Sequence, residues 1–249
     1  MVNFYVPPDR KSLVNINFLK EPKDWFQNIP ENPEKVEYEI DQILVLTTKE
    51  SGRYDKFLEK NKKETERFLP YYGRFSKKDP NKAIFDNYID ILTSAFKESD
   101  VISIIEDDVE LLPGWEKALK DSMYNLPKDW DTLSGNFSYI DKIVQSSENL
   151  IKPVGMTSSM NFTIFHKRSF PKIKENLHLR NSQRHKHIDR YCFSDEVGIN
   201  FYGTWPMICR EFPGYSSNRK VSTSGFNHLM ETMPYKYWFI DKPKWEINN

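Results

Sequence analysis

Two cysteines in 249 residues, Cys192 and Cys209, are too few for a disulfide framework, and their spacing to the nearby histidines fits no common zinc pattern. Both read as reduced core residues. An excess of one charge is also missing: 36 Lys and Arg balance 36 Asp and Glu, which argues against a nucleic-acid coat protein or a membrane-surface protein. No run approaches the roughly 18 apolar residues needed to cross a bilayer, and the first twenty residues hold no apolar signal core. The expectation is a cytoplasmic protein without a membrane span. There is no G-x-S-x-G, no Walker A loop and no Rossmann glycine fingerprint, which weakens hydrolase and ATPase readings. Neither an internal repeat nor a Pro/Ser/Gly-rich break divides the chain.

What is present is aromatic and apolar: Phe, Trp and Tyr make up 14% of the residues, enough with the aliphatics for a sizeable core. Residues 1–38 carry Pro7, Pro8, Pro22, Pro30 and Pro33 among charges, the pattern of an irregular arm packed on a single domain at 39–249. Ile40, Ile43, Leu44, Val45 and Leu46 form a first buried strand. Residues 53–68 have helix-forming composition ended by Pro70. A second helix, capped at Asp79-Pro80 or Asn81, is expected over about 82–97, where Ile84, Tyr88, Ile91, Leu92 and Ala95 make one apolar face. Val101–Ile105 is a β-branched run fit for a strand covered on both sides, and a third helix is expected near 115–124. The segment 135–155 gives only loop and strand fragments. This order predicts an α/β fold with a largely parallel central sheet flanked by helices.

Three acids, Glu106-Asp107-Asp108, follow the buried run directly. In open α/β sheets ligands bind beyond the carboxyl ends of strands. Adjacent carboxylates repel unless a cation neutralises them, and hard divalent ions prefer such oxygen ligands. Mg2+ or Mn2+ bridging one or two of these acids and two phosphate oxygens would stabilise a diphosphate leaving group. The competing reading is a solvated turn whose acids cap the following helix.

Ile104-Ile105-Glu106-Asp107-Asp108-Val109-Glu110-Leu111 with Pro113-Gly114-Trp115 resembles the acidic element of glycosyltransferase family 25 and related GT-A enzymes, the lipopolysaccharide- and collagen-type sugar transferases. The likeness extends to Ile43–Thr48 with Arg53, to Leu126–Asp131, to Thr157–Ile173, to Ile188-Asp189-Arg190 with Tyr202 and Pro206, and to Ser216–Asn218. It departs at 81–88, where Asn81-Lys82-Ala83-Ile84-Phe85-Asp86-Asn87-Tyr88 replaces the family's small-residue helix opening. The resemblance implies a GT-A-like fold and metal-dependent transfer of a sugar from a nucleoside-diphosphate sugar to a hydroxyl of a glycan or of a hydroxylated base in DNA. It implies Glu106, Asp108 and His228 as ligands to Mn2+ or Mg2+. Thr47, Thr48, Arg53 and Asp107, with Asn81, Lys82 and Asp86 at the neighbouring helix start, are the expected nucleotide-sugar contacts.

An inverting transfer needs a carboxylate to accept the acceptor's proton, and Asp189, Asp195 and Glu196 are the candidates; Asp195-Glu196 precedes Val197-Gly198-Ile199, a plausible helix start. From His166 to Arg190 eight Lys and Arg face only Glu175 and Asp189. That stretch is either a solvated face or a seat for an anionic acceptor. Two other functions use the same acids: a metal-dependent nuclease or phosphoesterase, and a non-catalytic module that binds a nucleotide sugar.

Overall fold

The first apolar run forms strand β1 (Gln42–Thr47), and the β-branched run forms β3 (Val101–Glu106), paired to β1 in parallel with Leu46 beside Glu106. In this computed structural model the described residues are 38–61, 67–137, 139–147, 149–158, 160–182, 185–211, 214–216 and 221–223. The expected arm and His228 lie outside them.

Between these strands the chain departs from expectation. Helix α1 (Arg53–Lys60) stops at Asn61, whose amide donates to the Phe57 and Val109 carbonyls at 3.0 Å each and accepts from Leu111 N–H at 2.8 Å. The helix expected over 53–68 therefore ends early, and Phe68–Tyr72 forms strand β2, parallel to β1, with Pro70 opposite Val45. An edge strand tolerates a proline that a central strand or a helix interior would reject. Helix α2 (Pro80–Ala95) follows as expected, capped by Asp79, which accepts from Lys82 N–H at 3.0 Å.

After β3 come β4 (Val109–Leu111) and α3 (Trp115–Tyr124), then β5 (Thr132–Ser134). The segment that gave weak signals is a hairpin of two nine-residue strands, β6 (Tyr139–Ser147) and β7 (Leu150–Ser158). Its register shifts between Ile140 and Lys142 and between Ile143 and Gln145. Each irregularity breaks the period of two by which a strand is recognised. Strand β8 (Phe162–His166) leads to helix α4 (Ser169–Glu175) and helix α5 (Ile188–Cys192). No helix begins after Asp195-Glu196: a 3-10 turn over Asp195–Val197 ends at Gly198, whose φ of 72° breaks it ahead of β9 (Phe201–Thr204). Strands β10 (Cys209–Glu211), β11 (Gly214–Ser216) and β12 (Val221–Thr223) complete the described chain.

The central sheet has the order β2-β1-β3-β8-β5-β9-β7-β6. Six of its eight strands run one way, and β7 and β8 run the other, so antiparallel pairs interrupt the parallel ones. The protein is a mixed α/β fold with helices on both faces. One face buries Val45, Ile105 and Ile164 against Phe57 of α1 and Trp115 and Leu119 of α3. The other buries Leu46, Ile102, Ile104 and Phe165 against Phe85, Tyr88 and Ile91 of α2 and Tyr191 of α5. Each large apolar side chain so covered contributes about 1.5–3 kcal/mol relative to exposure. The two cysteines are free and buried, as expected of core residues. Among the described residues no helix is long and apolar enough to cross a membrane.

Candidate functional site

Strand β3 delivers the acid triplet to the carboxyl edge of the sheet, and the backbone there is fastened on both sides. Glu106 N–H donates to the Asn161 carbonyl at 2.7 Å and Asp107 N–H to the Leu46 carbonyl at 3.2 Å. The turn after β1 supplies the facing groups. Ser51 N–H closes on Thr48, and Gly52, at φ 59°, turns the chain so that Arg53 opens α1 beside the acids.

The three carboxylates have different partners. Asp107 is buried at 2% exposure, with Oδ2 accepting from Thr47 Oγ1 at 2.7 Å and Ser51 Oγ 3.1 Å away. Its Oδ1 meets the Arg53 guanidinium at 2.8 Å. Arg53 also reaches Asp108 Oδ2 at 3.2 Å, which leaves Asp108 Oδ1 buried with no partner. Arg53 Nε is in the same condition. Glu106 points to the α2 side, 3.4 Å from the Tyr88 hydroxyl, which itself lies 3.1 Å from the Met160 carbonyl.

Burial, then Asp108 and Glu211, push the Glu106 carboxyl up to about 8. Burial thus disfavours the Glu106 carboxylate, and the Tyr88 O–H lies within reach of both Glu106 Oε1 and the Met160 carbonyl. Burial also raises Asp107, against the lowering pull of Arg53 and Thr47. Burial disfavours the Arg53 charge, but Asp108, Asp107 and Glu106 outweigh it and hold the guanidinium above its ordinary value. The Tyr88 hydroxyl is driven well above its usual range by burial and then by Glu106.

These groups line a cleft whose near wall is Thr47, Thr48, Ser51, Arg53 and the triplet. Its far wall is Arg74, Phe75 and Ser76 after β2, with Pro80, Ala83, Ile84 and Asn87 of α2. Sequence inspection missed Ser51, Arg74, Phe75, Ser76 and Asn87. Asn87 did carry a signal, since an amide inside the apolar face of a helix is out of place.

The other expected residues are not in the cleft lining. Asn81 and Lys82 belong to the first turn of α2 but are not among the lining residues, and Asp86 holds Lys82 and, at 2.9 Å, Arg180. Asp189 is half-buried in α5 and accepts from Arg190 N–H at 2.9 Å; Glu196 is exposed, 3.4 Å from His185; Asp195 lies in the 3-10 turn. Several cations of the basic stretch are engaged within the fold. Lys167 meets Asp100 at 3.4 Å, Lys172 meets buried Asp131 at 2.5 Å, Arg180 meets Asp86, and Arg168 reaches the Lys128 carbonyl.

Among the described residues no group of three or more His, Cys, Asp and Glu could hold a metal ion. A divalent ion that keeps phosphate and water ligands needs only one or two carboxylates. Glu106 and Asp108 fit that smaller demand: one has an unpartnered buried oxygen, and the other is disfavoured as an anion until a cation arrives.

No family model matches the chain, and no curated protein matches it. Among solved structures the chain is similar to a glycosyltransferase involved in the glycosylation of the major capsid of PBCV-1, at 13% identity and a TM-score of 0.45, over 76% of this chain and 98% of that one. It is also similar to A197 from STIV, at 14% identity and a TM-score of 0.40, over 73% and 92% of the two chains. Neither likeness is close enough to carry a functional argument.

Proposed function

We propose that the cleft binds a nucleoside-diphosphate sugar and that the protein transfers its sugar to a hydroxyl acceptor. The observation that carries this is the pair of unsatisfied groups in one cleft: the acceptor Asp108 Oδ1 and the donor Arg53 Nε, both buried and unpartnered. A metal diphosphate satisfies both, its cation meeting the carboxylate oxygen and its anionic oxygen the guanidinium N–H.

Mg2+ or Mn2+ held by Glu106 and Asp108 would supply charge neutralisation to the leaving diphosphate. Asp107, fully engaged by Thr47, Ser51 and Arg53, orients rather than ligates. Arg53 sits between the acids and the anion, able to turn its free N–H toward a phosphate oxygen. The hydroxyls of Thr47, Thr48 and Ser51 form the polar rim on the β1 side. Because Asp189, Asp195 and Glu196 lie outside the lining, the proposal assigns the donor half of the reaction and leaves the proton acceptor unassigned.

A panel of nucleotide sugars, screened with and without Mn2+ by thermal shift and donor hydrolysis, tests it. One sugar nucleotide should stabilise the protein more with metal than without. An Asp108→Asn protein that hydrolysed or transferred the donor sugar at the normal rate would refute the assignment. Phosphodiester cleavage without any sugar nucleotide would point to the nuclease alternative.

A further inference from the structure

The far wall of the cleft is a short piece of chain whose Arg74 side chain pairs with Asp90 of α2 at 2.8 Å, both exposed. Arg74 and Phe75 are exposed, and the described segment joins β2 to α2 through polar residues. One buried side chain pins it. Asn87, 3% exposed, accepts from Arg74 N–H at 2.8 Å through Oδ1 and donates to the Arg74 carbonyl at 3.0 Å through Nδ2. Both poles of one side-chain amide thus pair with one backbone residue, as a neighbouring strand would pair with it. Gly73 N–H meanwhile donates to the Thr47 carbonyl at 2.8 Å, tying the same segment to the near wall.

Helix economy does not explain Asn87. At this depth an apolar residue would pack better and an asparagine lowers helix propensity. The fit is also reciprocal: a Cβ on Gly73 would lie 2.4 Å from Asn87 Nδ2 and 2.7 Å from its Cγ, so the clip closes only over a glycine.

Resting on the proposed nucleotide reading, we propose that Asn87 is a positioning residue for the donor nucleotide: it clips the Arg74–Ser76 backbone so that Phe75 and Ser76 line the cleft across from the acid triplet. An exposed aromatic ring suits the base of a nucleotide, and Arg74, whose guanidinium pairs with Asp90 at 2.8 Å, stands next to it in the chain. Asn87 acts through the segment rather than by contact, because its amide is already committed to residue 74.

The test uses the full-length protein with UDP, GDP, CDP and ADP as probes, in Mn2+, by calorimetry, together with thermal unfolding and hydrogen exchange at the Arg74 amide. Asn87→Ala should weaken the best nucleotide about tenfold and strip exchange protection from Arg74. Gly73→Ala should lower the melting temperature by forcing the amide aside. Adding Asn87→Ala to it removes the clash, so the double variant should regain stability to the level of Asn87→Ala alone while binding stays weak. A purely structural Asn87 would instead let binding recover with stability. Asn87→Ala binding its nucleotide as tightly as wild type, with wild-type binding intact, overturns this inference alone. A wild-type protein that binds none of the four overturns the nucleotide reading and this inference with it.

Discussion

Replacing Arg53 by Met should expose how much of the fold's stability is staked on one cation. The guanidinium lies 2.8 Å from Asp107 and 3.2 Å from Asp108, with Asp107's side chain 3% exposed and its own 32% exposed. Removing one partner of a fully buried pair costs about 3–5 kcal/mol. Here Thr47 and Ser51 still serve Asp107, and the partial exposure of Arg53 lets solvent screen the loss, so the expected cost is about 2 kcal/mol at neutral pH. The cost should also depend on pH. Loss of Arg53 raises Asp107 further, and a carboxyl whose folded pKa is raised costs stability only above its unfolded pKa of about 4. The deficit should therefore be small near about pH 4 and grow as pH rises through the folded value. Urea unfolding of both proteins at several pH values in a chelator reads this directly. A double-mutant cycle with Asp107→Asn should return a coupling of about 1–2 kcal/mol. A deficit under about 0.5 kcal/mol, or one equally large at acid and neutral pH, would refute the electrostatic account.

Thr47→Val, which takes the 2.7 Å donor from a buried carboxylate, should cost about 1–2 kcal/mol in thermal unfolding, and Thr47→Ser should restore most of it. Lys172→Met leaves the fully buried Asp131 without its counter-ion, and should cost about 2 kcal/mol that an added Asp131→Asn recovers in part. His166 is lowered by burial and then by Arg168, whose backbone N–H donates to Nδ1 at 3.2 Å and whose guanidinium lies 2.8 Å from Nε2. A histidine held neutral in the fold gives stability that is complete above its unfolded pKa of about 6.5 and is lost as pH falls toward the folded value. Urea titrations between about pH 7 and pH 5 should show that slope in wild type and a flatter one in His166→Gln.

The strand that carries the acids was legible because four of the five residues of Val101–Ile105 are β-branched, Ser103 excepted, and the run is buried on both faces. Helix α2 was legible for the same kind of reason, a stripe at helical spacing with an Asp-Pro start. Strand β2 was not: the chain before it has helical composition, and Pro70 reads locally as a stop, whereas an edge position makes it harmless. The β6–β7 hairpin hid behind two breaks in its alternation. Within the site, Thr47, Thr48, Arg53 and the triplet converge at the ends of two neighbouring strands, a position that order along the chain suggests. Arg74, Phe75 and Asn87 meet them only through the crossover from β2 to α2, and no local pattern encodes that meeting. Asn81 and Asp86 show the converse, since proximity in sequence to the helix start did not put them in the cleft lining.

The two hydrogen bonds that tie Glu106 N–H to Asn161 and Asp107 N–H to Leu46 belong to strands of opposite direction, β8's approach on one side and β1 on the other. The acids therefore stand in a rigid socket whose shape is written in main-chain atoms. Asp107 is the exception in side-chain terms, since it also braces Thr47, Ser51 and Arg53, so exchanges at 106 and 108 should disturb the frame less than one at 107. Differences among variants at 106 and 108 would then report chemistry at the site more than movement of it, which makes these two positions a suitable place to ask by substitution what the cleft was built to hold.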